Sequence, residues 1–182
     1  MIEFKLQPEE AALQSLADEY WRKSSEDDRL EERAAFGAGA AIRDGDRSVE
    51  TLVKIVHWKS PRIVHHVREN TPDAIRTALD IAVSHTSTEE ALIALQELRG
   101  VGIPVASAIL TAVHPERYTV IDFRALESLG YFPQDASFYL EYLNFCRHLA
   151  EKMEAQSELP APTRLRALDR ALWRWSKKRE ES

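Results

Sequence analysis

The chain has 182 residues, carries a formal net charge of −6 and contains a single cysteine, Cys146. One cysteine excludes an intramolecular disulfide framework, a zinc ribbon and a four-cysteine iron–sulfur cluster, and it is typical of a reducing compartment. The acidic balance argues against a protein that coats nucleic acid through a broad basic surface, but it leaves room for a local contact.

The N-terminal residues 1–16 become charged within three positions, and no later stretch approaches the roughly 20 apolar residues that span a bilayer. We therefore expect a soluble, cytoplasmic protein with no membrane partner. The length suits one domain or two small lobes with a buried core.

Apolar residues recur at helical spacing from the beginning of the chain. The first helix is predicted from Pro8 to about Trp21, and a second lies within 24–45. Ser48 is predicted to cap a third helix over 49–58, because Ser is a favoured residue at that position.

The same signals predict helices through the rest of the chain. They lie at 61–70, 72–84, 89–98, 103–113, 123–129, about 136–153 and 163–179. Thr71 and Thr88 are the predicted caps of the second and third of these. The strand-like stretch 118–121 is too short to support a sheet, so the predicted fold class is all-α with about ten helices.

Three smaller patterns concern packing and metals. Gly37 and Gly39 in "FGAGAAI" lack the preceding strand and third glycine of a nucleotide motif, so we predict close helix packing and no nucleotide cofactor. His65 and His66 are expected on different sides of a helix and match no metal signature such as H-E-x-x-H. Residues 165–175 contain Leu and Trp residues spaced 3, 4 and 3 apart, which predicts a buried seam.

The segment "LRGVGIPVASAIL", residues 98–110, joins two predicted helices through a glycine turn. Gly100 and Gly102 let the backbone reverse with positive φ, while Val101 is expected between the two helices. The free amides at the start of the second helix favour an anion.

This hairpin resembles that of the helix-hairpin-helix DNA glycosylase superfamily. The family pattern is Leu, often Pro, Gly, an apolar residue, Gly, two variable residues, a small residue or Thr, then Ala. Arg99 replaces the usual Pro, and the other positions match. A catalytic Asp follows in that family at a near-fixed distance, and Asp122 in "YTVIDFRAL" matches it. The nucleophilic Lys of bifunctional members corresponds here to Pro104, 18 residues before Asp122.

The resemblance therefore implies a short, divergent, monofunctional member without the catalytic lysine and without an iron–sulfur cluster. It is strongest over 92–126 and begins at about residue 48. We expect a single helical domain over 1–182, with the core of the resemblance at 48–130. The terminal segments 1–47 and 131–182 would pack together as a second lobe.

The resemblance also implies a site. Asp122 would stabilise the sugar cation that develops as an N-glycosidic bond breaks, or orient the attacking water. The damaged or mismatched base of duplex DNA would first be flipped out, at a cost of about a few kcal/mol. The predicted DNA contacts are Arg99, Gly100, Val101, Gly102, Ile103, Val105 and Ser107.

Two further sets of residues complete this prediction. Trp58, Lys59 and Arg62 in "HWKSPR" are the predicted base pocket, although a Trp at a helix end is also typical of a core. By the resemblance, the main-chain carbonyls of Gln96, Leu98 and Val101 would bind a monovalent cation that bridges to a DNA phosphate. No other cofactor is expected.

Alternatives remain open from the sequence. Asp122 is also a good N-cap for the helix at 123–129, worth roughly 1 kcal/mol, and one residue can do both. The basic end 174–180 complements the helix dipole or contacts DNA. Three functions stay open: a DNA N-glycosylase of base-excision repair, a non-catalytic helix-hairpin-helix DNA-binding protein, and a scaffold that keeps the fold without a DNA function.

Overall fold

The computed structural model describes residues 2–84, 87–131 and 138–182, and all regular structure in these ranges is helical. The α-helices are α1 Leu13–Lys23, α2 Glu26–Arg43, α3 Val49–Lys59, α4 Val64–Arg68, α5 Pro72–Val83, α6 Thr88–Gln96, α7 Ile103–Val113, α8 Phe123–Ser128, α9 Tyr139–Ala150 and α10 Arg164–Glu180. Short 3-10 helices at Glu10–Ala12 and Pro61–Ile63 precede α1 and α4. The all-α prediction with about ten helices is confirmed for these residues.

Hydroxyl side chains cap the helices where the sequence predicted them. The side chains of Ser48 and Thr71 each accept a hydrogen bond from the amide three residues later, as predicted, and Thr163, which was predicted as the first residue of its helix, caps α10 in the same way. The predicted cap at Thr88 is wrong by one residue. Ser87 accepts the hydrogen bond from Glu90 N at 3.1 Å, since it has the extended backbone of a cap and Thr88 is already helical.

One predicted helix begins later than the sequence suggested. The first turn after Pro8 is the 3-10 helix, and α1 starts only at Leu13. Within the described residues α9 starts at Tyr139, whereas the predicted start at Ala136 lies outside them.

Two central helices organise the core. Helix α7 is buried from Val105 to Val113 and packs against α2, α3, α5 and α6. Helix α10 packs against α1, α8 and α9, and its leucines at 165, 168 and 172 are buried as the seam predicted. Of the N-terminal helices, α1 therefore packs against α10, whereas α2 packs against α7.

One of the two glycines of α2, Gly39, serves the packing role that the sequence indicated. A methyl group at Gly39 would overlap the carbonyl group of Ala112 on α7, so the two helices cross at backbone contact. Gly37, half a turn away, faces open space. Close approach therefore requires glycine at position 39 alone.

The prediction for the two adjacent histidines is wrong. The rings of His65 and His66 lie with their centroids 3.8 Å apart, so the two side chains do not point to different sides of α4. In the described ranges, no group of three or more His, Cys, Asp or Glu side chains is arranged to hold a metal ion. None of the helices described combines the length and apolar composition needed to cross a bilayer.

Candidate active-site cleft

A cleft of about 420 Å³ lies between α1, α2, α3 and α10, and the end of the loop before α8 reaches into it. This volume is within the range of small-molecule sites. Its lining residues are Tyr20, Lys23, Ser24, Asp28, Glu31, Trp58, Lys59, Val120, Asp122, Arg166, Asp169, Trp173, Arg174, Lys177 and Glu181. Three predicted site residues, Trp58, Lys59 and Asp122, are thus brought together from segments more than 60 residues apart.

Asp122 uses its two carboxylate oxygens differently. Oδ1 accepts a hydrogen bond from Ala125 N at 2.9 Å and caps α8. Oδ2 lies 3.5 Å from Lys59 Nζ, on a side chain that also lines the cleft. With 20% of its side chain exposed, Asp122 both caps its helix and faces the cleft, so the two interpretations of this residue are compatible.

The buried segment before Asp122 is fixed from two sides. Tyr139 and Tyr142 on α9 donate their hydroxyl hydrogens to the carbonyls of Thr119 and Val120, each at 2.8 Å. On the other side, Ile121 N donates to Ser107 Oγ at 3.1 Å. Because Ser107 belongs to α7, the helix that follows the glycine turn holds the carboxylate in place.

A network of buried charges lies beneath the cleft, and two of its members, Arg166 and Asp169, line the cleft. Glu32 Oε1 accepts hydrogen bonds from Arg166 Nε at 3.0 Å and from Arg170 Nη2 at 2.6 Å, and Arg166 also pairs with Asp169. Burial opposes ionisation of Glu32, but the charges and hydrogen bonds of the two arginines outweigh it and lower the pKa of its carboxyl group. The Arg166 guanidinium also lies 5.1 Å from the ring centre of Trp58. Sequence patterns did not indicate this network.

Asp169 is the carboxyl group of this network whose pKa is raised. Burial raises its pKa to about 6 against the opposing charge of Arg166, and the negative charge of Asp122 adds to the rise. Asp169 therefore changes its charge in a mildly acidic range, next to the candidate catalytic carboxylate.

Asp169→Asn should remove a pH dependence of stability. Because the folded state holds this proton more tightly than the unfolded state, the contribution to stability is complete below about pH 4 and is lost as the pH rises through 6. The quantity to compare is the free energy of unfolding of the wild type minus that of Asp169→Asn. We expect this difference to fall by roughly 2 to 3 kcal/mol between about pH 4 and about pH 7. Urea unfolding at several pH values measures it, and a pH-independent difference would contradict the assignment.

The glycine turn follows the prediction in part. Gly100 has φ +85° and Val101 is buried, as expected. The predicted positive φ at Gly102 is wrong: its φ is −94°, because it is the extended N-cap of α7, whose carbonyl accepts from Ala106 N. Asn70 clamps the turn by accepting from Arg99 N at 2.8 Å and donating to the Arg99 carbonyl at 3.1 Å.

Several main-chain groups of this turn have no hydrogen-bond partner among the described residues. Within the described residues, the amides of Gly100, Gly102, Ile103 and Val105 donate no hydrogen bond. The carbonyl oxygens of Gln96 and Val101 likewise accept none there, and that of Leu98 accepts one from Val101 N. Two of the three carbonyls in the predicted cation set are thus unpaired among the described residues, and that of Leu98 is paired.

Two of the predicted site side chains, those of Ser107 and Arg62, lie elsewhere than expected. Ser107 is buried, and its hydroxyl donates to the Pro104 carbonyl at 2.7 Å, so it supports the Asp122 segment and does not face a ligand. Arg62 is exposed but does not line the cleft. Arg99 is exposed and forms an ion pair with Glu69. Trp58 lines the cleft while packing on Phe36, so it is both a core and a cleft residue.

Comparison with known proteins adds no relative: no family model matches the chain, and neither the curated proteins nor the solved structures give a match.

Proposed function

We propose that this chain is a helix-hairpin-helix DNA glycosylase-like protein that hydrolyses the glycosidic bond of a damaged or mismatched base in duplex DNA. The observation that carries the proposal is the position of Asp122. Its capping oxygen is fixed by α8, while its second oxygen lies beside Lys59 in a cleft of about 420 Å³. A capping residue alone would need no such cleft.

The turn and the cleft support each other in this proposal. Residues 99–105 do not line the cleft, but Ser107 ties α7 to the backbone immediately before Asp122. A phosphate bound at the unpaired amides of the turn would therefore be held at a fixed position relative to the carboxylate. Positioning of this kind is a large part of how enzymes lower a barrier.

The chemistry of the cleft suits a reaction with a cationic transition state. Breaking an N-glycosidic bond places positive charge on the deoxyribose, which a carboxylate stabilises best where water is excluded. Asp122 has the required charge and limited exposure, and Trp58 offers an aromatic surface for a base that has left the stack. The base itself is not specified by these contacts.

A panel of duplexes tests the proposal. Each would carry one uracil, alkylated purine, 8-oxoguanine or mismatch, and alkali would convert any abasic product into a strand break. We expect strand breaks with at least one duplex and measurable affinity for duplex DNA at low salt, where phosphate contacts are strongest. No breaks and no affinity across the panel would overturn the proposal.

A second candidate is a non-catalytic DNA-binding protein with the same turn. The observation in its favour is that Lys59 already pairs with the second oxygen of Asp122. Affinity without strand breaks would support this candidate. A scaffold without a DNA role would show neither.

A further inference from the structure

Asp169 is a second carboxyl group in the cleft, and the proposed reaction gives it no task. It lies on α10, is only 3% exposed and lines the cleft together with Asp122. Its Oδ2 accepts a hydrogen bond from Arg166, whereas its Oδ1 has no hydrogen-bond partner among the residues that the structure describes. A nearly buried carboxyl group with one unpaired oxygen costs stability unless a ligand or water completes its hydrogen bonds.

The surroundings of Asp169 favour its protonated form in the mildly acidic range. Burial raises its pKa to about 6 against the charge of Arg166, and the negative charge of Asp122 adds to the rise while Lys59 opposes it. The charged and titratable side chains around it are Tyr20 on α1, Lys59 on α3, Asp122 before α8, Tyr142 and Cys146 on α9, and Arg166 on α10 itself. Burial raises the pKa values of the two tyrosines and of the cysteine, so these groups keep their protons in the range in which Asp169 titrates.

We propose that Asp169 is the general acid of the cleft and protonates an uncharged base as the bond between that base and C1′ of the deoxyribose breaks. The proposal rests on the proposed function, because it assigns a second role in the same cleft. Hydrolysis of a glycosidic bond commonly uses two carboxyl groups, one that protonates the leaving group and one that stabilises the sugar cation. Asp169 is the more deeply buried of the two here, with a side chain 4% exposed against 20% for Asp122. Deeper burial favours the uncharged form, which is the form that a general acid needs.

The step is balanced without an oxidant, a reductant or a cofactor. Asp169 transfers its carboxyl proton to a ring nitrogen or an exocyclic oxygen of the base, and the electron pair of the breaking bond goes to the base. Water then forms a bond to C1′ and gives a proton to Asp122. The products are the free base, an abasic deoxyribose, an ionised Asp169 and a protonated Asp122, and proton exchange with solvent restores both carboxyl groups.

An alkylated purine provides a control that needs no acid. N7-methylguanine already carries a positive charge in DNA, so it leaves C1′ as a neutral base without receiving a proton. Uracil, 8-oxoguanine and a mismatched adenine are uncharged, and their departure is easier when they are protonated. A residue that only maintained the shape of the cleft would affect both kinds of base alike, whereas a general acid affects the uncharged ones.

Single-turnover excision by the full chain, measured from about pH 5 to about pH 8, tests the assignment. Above about pH 6 the rate for an uncharged base should fall about tenfold per pH unit, while the rate for N7-methylguanine should not. Asp169→Asn should lower excision of the uncharged base by about 10²- to 10⁴-fold, remove this pH dependence and retain excision of N7-methylguanine. Asp73→Asn, the same substitution at a carboxylate that is 90% exposed and outside the cleft, should behave as the wild type.

The outcomes separate this proposal from the proposed function. An uncharged base that is excised at the same rate below and above about pH 6 would overturn the general-acid assignment alone, and the wild-type profile decides this even if Asp169→Asn folds poorly. Excision of N7-methylguanine and of no uncharged base would also overturn this assignment alone. So would equal losses for both kinds of base in Asp169→Asn, which would indicate a structural role. Absence of excision of any base would overturn both proposals.

Discussion

Asp122→Asn should lower the rate of base excision by about 10²- to 10⁴-fold while leaving the fold intact. Asn caps helices as well as Asp does, so its side-chain oxygen can still accept the hydrogen bond from Ala125 N. The variant loses the negative charge beside Lys59, and with it the stabilisation of a sugar cation. Single-turnover excision rates and urea unfolding, measured on the same preparations, separate the two effects.

The matched control for this variant is Glu31→Gln, which removes one carboxylate charge from the same cleft. Glu31 lies near His57 and makes no contact with Asp122. We expect its excision rate to stay close to that of the wild type. An equal loss in both variants would mean that the overall charge of the cleft matters and that Asp122 has no specific role. An unchanged rate in Asp122→Asn would reduce this residue to a helix cap.

The helices of the fold could be predicted from the sequence because the patterns that indicate them involve only neighbouring residues. A cap such as Ser48 or Thr71 acts on an amide three residues away, and helical spacing repeats within one segment. The errors arose where a residue next to the predicted one, or the predicted glycine itself, forms the helix N-cap. Ser87 took the cap predicted for Thr88, and Gly102 became an N-cap where a second positive φ was expected.

The sequence predicted the candidate site only where the site residues lie close together in the chain. The turn and Asp122 lie within about 25 residues of each other, so their spacing could be compared with a family pattern. The buried network beneath the cleft joins Glu32 to Arg166, 134 residues apart, and no local sequence pattern predicts such a pair. One indirect signal was present in α10, where Arg166 and Arg170 lie among leucines whose spacing predicts burial. Charged side chains that lie beside buried leucines on one helix are themselves buried, and buried charges need partners of opposite charge.

The packing of α2 on α7 has a direct consequence for the site. Helix α7 carries both the unpaired amides at its start and Ser107, which holds the backbone before Asp122. At Gly39, α2 comes so near to this helix that a Cβ atom would overlap the carbonyl of Ala112. Any side chain at Gly39 must therefore push apart two elements on which the cleft depends.

Gly39→Ala should destabilise the protein by about 3 kcal/mol or more, because its methyl group would overlap main-chain atoms that cannot turn aside as a flexible side chain can. Gly37→Ala is the matched control, with the same substitution in the same helix but open space around the new methyl group. Since Ala favours a helix over Gly, Gly37→Ala should stabilise the protein by roughly 0.5 to 1 kcal/mol. Urea unfolding of both variants measures the difference in sign. Equal effects at the two positions would show that α2 and α7 are not in backbone contact.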